Sequence, residues 1–436
     1  MNRSAGALDM VFVHELIDAV ASGFEEQLDF TQEMIRSPSL RGQEAPAQSL
    51  FEEALNTRGY EVDRWAIDVA DIMDHPGFSP VEVDYTNAVN VVGQHSPTNV
   101  GGRSLILNGH IDVVPTGPIE MWSTPPFEPY IDGDWLYGRG SADMKAGLCA
   151  NVFALDAISR LGLQPASNVY VQSVTEEECT GNGALSALVR GYTADAAIIP
   201  EPEENMLVRA NVGVIWLRIK VSGRPIHVRE AGEGYNAIEA AYIVIDALKG
   251  LEKRWNDQKS QYPYFNSVDH PININVGKIV GGDWPSSVPA WCNLDVRAAI
   301  YPGVDPSAAA AEIESCIYEA SQRNTFLSKN MPEVEYTGFF ARGYILEEGS
   351  DAESTLARNH NLSFGSALES FVTPGYLDGR VFVLYDECPC LVYGPISKNI
   401  HAVDEAVSLS SLKNITGTIA LFIADWCGLE KKKGPG

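Results

Sequence analysis

The sequence predicts an α/β fold: a catalytic domain built on a mostly parallel sheet with helices on both faces, interrupted by an inserted α+β two-layer sandwich. Three observations predict it. Up to about residue 210, short apolar or β-branched runs alternate with helical stretches, the pattern of a parallel sheet covered on both sides. Between residues 211 and 340 the order becomes strand, helix, strand, strand, helix, strand, which suits a small two-layer sandwich. After Gly343 the chain returns to runs like those of its first part. The expected division is therefore 1–210 with 341–436 as a discontinuous metal-binding catalytic domain, and 211–340 as an inserted lid and dimerisation domain. A chain of 436 residues also exceeds what one core usually organises.

In chain order, apolar residues at helical spacing predict a helix over 9–36 and a second from Ser39 to Gly59, where glycine stops the pattern. Strands are expected at NVVG (90–93), SLILNG (104–109), NVYVQSV (168–174) and AAIIP (196–200), with helices from about Lys145 to Leu161 and from about Gly183. The inserted unit reads as GVIWLRIKVSG, a helix from Ala237 to Trp255, ININVGKIVGG, WCNLDVRAAI, a helix over Pro306–Arg323, and VEYTGFF. The last part carries the apolar runs VFVLY and CLVYG and a helix over Leu409–Cys427. The closing KKKGPG is expected to fray and is set aside. No internal repeat is visible.

Composition removes several classes of function. A formal charge of −27 repels phosphates and argues against a nucleic-acid partner. No apolar run approaches the length of a bilayer span, and the N-terminal segment shows helical spacing where a secretion signal would have an unbroken apolar stretch. Seven scattered cysteines form no disulfide framework, so a reducing cytoplasm is the expected location, and Cys388-Pro389-Cys390 reads as buried small side chains. A nicotinamide-dependent oxidoreductase would need a glycine fingerprint whose spacing GRGSADMKAG does not match.

The chemistry-bearing residues cluster where strands end. LILNGHIDVVPTG ends a strand in His110-x-Asp112, and in a doubly wound sheet that end faces the ligand crevice. Asp112 would be either a direct metal ligand or the carboxylate that holds the histidine's second nitrogen. LYGRGSADMKAG sets Asp143 in a glycine-bracketed turn before a helix, where an aspartate alone is ordinarily a cap. VTEEECTGNGA places Glu176, Glu177 and Glu178 side by side, and such mutual repulsion favours a nearby cation. AAIIPEPE ends in Glu201, and LVYGPISKNIHAVDE carries His401 in a loop after a fifth strand. Imidazoles and carboxylates without thiolates suit zinc, cobalt or manganese in an open catalytic site.

With its GHIDVVP, GRGSADMKAG, EEECTGNGA, PEP and YGP…IH segments in order from about residue 30 to 427, the chain resembles a dinuclear zinc family. That family is the aminoacylase and carboxypeptidase G family, which includes acetylornithine deacetylase and succinyl-diaminopimelate desuccinylase. The resemblance implies two divalent metal ions, zinc foremost, with Asp143 bridging them. His110 and Glu201 would complete one site and Glu178 and His401 the other. It also implies Glu177 as general base, Glu176 in the place of the family's aspartate, and Asp112 in support of the catalytic centre. VSGRPIHVREAGEGYNAIEAA resembles the segment whose histidine reaches the partner subunit's site, nominating His227 as an oxyanion donor in trans and the inserted domain as a homodimer interface. NLDVRAAIYPG resembles the segment whose arginine binds the substrate carboxylate, nominating Arg297. Two segments that lie near the substrate in the family depart from its pattern here: GGDWPSSVPAWC has Ser286 and Ser287 where many relatives have asparagine, and YLDGR has Leu377 before Asp378 and Arg380.

The implied function is hydrolysis of a non-peptide C–N bond, an N-acyl or N-formyl amide, in a small carboxylate-bearing substrate through a metal-bridging hydroxide and a glutamate base. Dipeptide cleavage and hydrolytic deamination of an aromatic amino acid are alternatives on the same metals, the latter because Trp284 and Trp291 flank the atypical PSSVP. A noncatalytic binding protein with a relic site is the alternative from another class, although every expected ligand and the base are present.

Overall fold

In a computed structural model that describes residues 8–432, the strand Leu105–His110 lies inside a six-stranded sheet, and all six of its residues are buried. Burial on both faces of one strand requires cover on both sides of the sheet, which is why the run is apolar without alternation. The strand order is Glu61–Ala66, Val89–His95, Val169–Val174, Leu105–His110, Ala197–Ile199, Cys390–Val392. The last four strands pair in parallel, and the first two join antiparallel at one edge. Parallel pairing sends the carboxyl ends of those four strands to one edge of the sheet.

The helices Met10–Arg36, Lys145–Arg160 and Leu409–Trp426 pack against one another, with Lys145–Arg160 laid on the His110 strand. Asp9 caps the first of these by accepting from the Val11 N–H, as an N-terminal aspartate does. The second helix is shorter than its apolar spacing suggests, running Ala45–Thr57. Two features delay its start: Ser39 Oγ donates to the Ile111 carbonyl at 2.6 Å, tying that segment to the site, and Pro46 favours the first helical turn. VFVLY lies within a helix, Gly379–Tyr385.

The inserted unit has its own apolar core, formed by residues from Ala210 to Ala341. Its four strands lie in the order Ile274–Gly281, Trp291–Ile300, Gly213–Ser222, Glu333–Ala341, all antiparallel. Burial alternates along Gly213–Ser222 and Trp291–Ile300, so one face of this sheet is covered by the helices Ala237–Asp257 and Pro306–Gln322. The opposite face carries Trp216 and Arg297, which are paired across the two strands. The Phe339 N–H donates to the Cys179 carbonyl at 2.9 Å, bringing this unit against the turn that carries the three glutamates.

A third, four-stranded antiparallel sheet joins Ser397–Lys398, Ala406–Ser408, Trp135–Tyr137 and Tyr130–Asp132. The KKKGPG expectation is corrected at its start, because Lys431 pairs with Leu163 in a short strand; residues 433–436 lie outside the described residues. Among the described residues no helix is long and apolar enough to cross a membrane, and the seven cysteines are free.

Candidate metal centre

His110 is held by its own strand end. Its Nδ1 donates to the Asp112 carbonyl at 2.9 Å, which fixes the ring and turns Nε2 toward the carboxylates. Nε2 lies 3.0 Å from Asp143 Oδ1, 3.6 Å from Glu201 Oε1 and 3.9 Å from Glu177 Oε2. On the other side of Asp143, its Oδ2 is 3.2 Å from His401 Nε2, and the same nitrogen is 3.2 Å from Glu178 Oε2. One ligand atom each from His110, Asp143 and Glu178 fall within 4.8 Å of one another, a grouping able to hold a metal ion.

Glycine permits these approaches. Gly140 has φ +80°, a left-handed turn that leads into Asp143, and a Cβ on Gly147 would lie 2.0 Å from the Pro200 carbonyl. The helix Lys145–Arg160 therefore starts against the strand end that delivers Glu201. His401 itself has φ +62° and sits in the loop of the hairpin Ser397–Ser408.

The electrostatics call for positive charge. Burial raises Glu201 to about 7, with His110 opposing and Asp143 and Glu178 adding to the rise. Burial likewise holds Glu177 well above the carboxylate range, with His110 opposing and Asp378 reinforcing. Burial also acts against ionisation of Asp143, yet hydrogen bonds to His110 and His401 win and keep its carboxyl below the usual range. Glu178 pushes His401 up to about 11, while His110 is raised against its own burial by Glu201 and Asp143. Protons on the two imidazoles thus answer the acidic charge, a role that divalent cations would take over. The donor set fits such ions: Glu201 Oε1 and Asp112 Oδ1 are buried without a hydrogen-bond partner among the described residues.

The remaining nominated residues fall in three places. Asp112 is buried beside His110 and accepts from the Glu178 N–H at 3.1 Å; burial raises it to about 6. Asp378 and Arg380 are buried near Glu177, linked through the Tyr376 hydroxyl, which donates to Asp378 at 2.9 Å and accepts from Arg380 Nε at 2.9 Å. Arg297 lines a cavity of about 310 Å³ with Arg41, Trp216 and Lys278, and donates to the Pro374 carbonyl at 2.9 Å. His227 is exposed, bridged to Ser287, and the Val228 N–H donates to the Ser286 carbonyl. Ser286 and Ser287 are thus neighbours of His227. Trp284 is 68% exposed.

The run of three glutamates divides its labour. Glu176 faces away from the cluster, gripped by Arg41 at 2.6 and 2.7 Å and by the Tyr85 hydroxyl at 2.7 Å. Sequence reading missed that partner. It also missed Arg139 and Glu405, a buried ion pair beside Asp143, although both lie inside motifs it singled out.

Comparison with known proteins follows the same lines. The family described as peptidase family M20/M25/M40 matches residues 106–425. The chain is 30% identical over 446 residues to the N-formyl-4-amino-5-aminomethyl-2-methylpyrimidine deformylase of Bacillus subtilis, covering 97% of this chain and 99% of that protein. It is 29% identical over 443 residues to the protein of the same name from Halalkalibacterium halodurans, covering 96% and 98%. Among solved structures it is similar in fold to the Saccharomyces cerevisiae di-peptidase Dug1p, with a TM-score of 0.77 and 14% identity over 95% of this chain and 98% of that one.

Proposed function

The chain belongs to peptidase family M20/M25/M40, and from that premise we propose that it is a dinuclear deacylase that removes a formyl or other acyl group from a nitrogen of a small substrate. Hydrolysis by a metal-dependent enzyme is the family's chemistry; the two-ion centre, the acyl group and the residue roles are the proposal. The observation that carries it is the double contact of Asp143, one oxygen toward His110 and the other toward His401, with Glu201 on the first side and Glu178 on the second. Two full-length relatives that bear the name of an N-formyl deformylase favour formyl as the acyl group.

Two divalent ions, zinc foremost, would be held by His110, Asp143 and Glu201 and by His401, Asp143 and Glu178, and would supply an activated water and a positive field at the reacting carbonyl. Glu177, buried at the edge of the cluster, takes a proton from the attacking water as the new C–O bond forms. It returns the proton to the nitrogen as the C–N bond breaks, so acid and free amine leave. Asp112 holds His110 through its backbone carbonyl and orients the Glu178 backbone through its carboxylate. Asp378, tied to Tyr376 and Arg380, adds negative charge beside Glu177 and favours its proton-carrying form.

Residues 211–340 act as the lid and dimerisation domain, and 1–210 with 341–436 as the catalytic domain. His227, exposed on the inserted unit, donates to the oxyanion formed in the partner subunit's site. Arg297 faces the cavity beside the glutamate turn and binds a substrate carboxylate where one is present.

The test is a panel of N-formyl aminopyrimidines, N-acetyl and N-succinyl amino acids and dipeptides, with formate, amine and ammonia all detected. Chelator-sensitive release of formate and amine is expected. Cleavage of dipeptides alone, or ammonia release alone, would overturn the deacylase reading.

A further inference from the structure

The two halves of the metal centre are supported unequally. His110 ends a fully buried strand paired on both sides, whereas the His401 side chain is 55% exposed, on a hairpin loop. Within that loop Asn399, His401 and Asp404 all adopt left-handed φ values of 55°, 62° and 55°, a conformation that needs outside support. Asn399 and Asp404 tie the loop to itself and to Ser123, at the surface.

One buried ion pair reaches both halves. Arg139 and Glu405 meet at 2.6 Å with side chains 1% and 0% exposed. Glu405 Oε1 accepts from the Ala142 and Asp143 N–H groups at 2.9 and 3.0 Å. Arg139 Nη2 donates to the Ala402 carbonyl at 3.1 Å, next to His401, and to the Pro115 carbonyl at 3.3 Å, in the loop that follows Asp112. The Glu405 carbonyl accepts from the Gly138 N–H at 3.0 Å and from Ser141 Oγ at 3.2 Å, locking the turn before Asp143.

We propose that Arg139 and Glu405 are a positioning pair that sets the separation of Asp143 and His401 and thereby gives the His401 side of the centre its affinity for metal. The inference rests on the dinuclear reading above. A buried pair of this kind is a poor source of net stability and is best used to fix a register, which is the use its contacts indicate. The planar guanidinium reaches Glu405 from Nη1 and the two carbonyls from Nη2, a spread of donors that the single nitrogen of a lysine matches less well.

The test compares the wild type with an Arg139→Met, Glu405→Gln double variant. Glutamine keeps an acceptor for the Ala142 and Asp143 N–H groups, and methionine removes the charge that would otherwise be stranded, so the ion pair and the tether to Ala402 and Pro115 are cut while the hold on the Asp143 turn is kept. Metal-free proteins are titrated with Zn²⁺ by calorimetry, and cooperative unfolding is followed by circular dichroism. The wild type is expected to bind two ions. The variant is expected to unfold cooperatively, bind the first ion as the wild type does, and bind the second about tenfold or more weakly. Arg139→Lys should restore part of that affinity. Two unchanged affinities in the double variant would overturn the positioning role alone. Loss of both ions together with loss of cooperative unfolding would reduce the pair to a structural one. A wild type that binds a single ion would remove the dinuclear reading, and this proposal with it.

Discussion

Asp143 stands between two imidazoles, with Oδ1 3.0 Å from His110 Nε2 and Oδ2 3.2 Å from His401 Nε2. A carboxylate can serve both sides because its two oxygens are equivalent acceptors. Asparagine keeps one oxygen and loses the charge. Asp143→Asn is therefore expected to bind at most one ion, with reduced affinity, while His401→Ala keeps the His110 side intact. Metal content after dialysis separates the cases, and two tightly bound ions in Asp143→Asn would refute the bridging role.

Glu177 approaches His110 Nε2 no closer than 3.9 Å, which suits a base poised beside the ligands. Replacing it by glutamine preserves volume and removes the proton acceptor. Glu177→Gln should keep its metal and lose about 10²–10⁴-fold in kcat. Near-normal turnover would move the base to another residue, with Glu178 and Asp378 the first to examine.

The elements legible in the sequence are those with a strong pattern. Leu105–His110 is wholly apolar up to Asn108 because both faces are covered, and Gly213–Ser222 alternates because one face is. The sheet of Trp135–Tyr137 and Ala406–Ser408 was not legible, since strands of three residues are too short to show a period. It is nonetheless the frame that places His401 beside Asp143. VFVLY, a five-residue apolar run, could be read for neither strand nor helix, and its neighbours decide. Arg139 and Glu405 are separated by 266 positions, and sequence shows a charge but not the distant partner that allows it to be buried.

In its proposed role as the carboxylate anchor, Arg297 would distinguish two classes of substrate. It lines the cavity beside Trp216, and a charge-assisted contact to a substrate carboxylate contributes about 1.5–3 kcal/mol. Arg297→Met should raise KM roughly tenfold or more for N-acyl amino acids with little change in kcat, the signature of lost ground-state binding. An N-formyl aminopyrimidine has no carboxylate, so its KM should be nearly unmoved. Equal losses on both would show that Arg297 supports the lid and does not read the substrate.

Glu44 makes stability depend on pH. It is 1% exposed; its Oε1 accepts from the Gly42 N–H at 2.8 Å, and its Oε2 has no partner among the described residues. Burial, with the charge of Asp112 adding to it, pushes this carboxyl from 4.5 up to about 8. A folded-state value above the unfolded one means the folded protein holds a proton that the unfolded chain gives up. The stabilisation is complete below about 4.5 and is lost as pH rises through about 8. At about 1.4 kcal/mol per unit, a shift of this size amounts to a few kcal/mol across that window. Glu44→Gln keeps the shape and the acceptor without the titration. Its stability should therefore hold steady while that of the wild type falls between pH 5 and pH 9, read by urea unfolding with and without chelator. A gap between the two proteins that does not change with pH would return Glu44 to the ordinary carboxylate range, and would mean that water reaches Oε2.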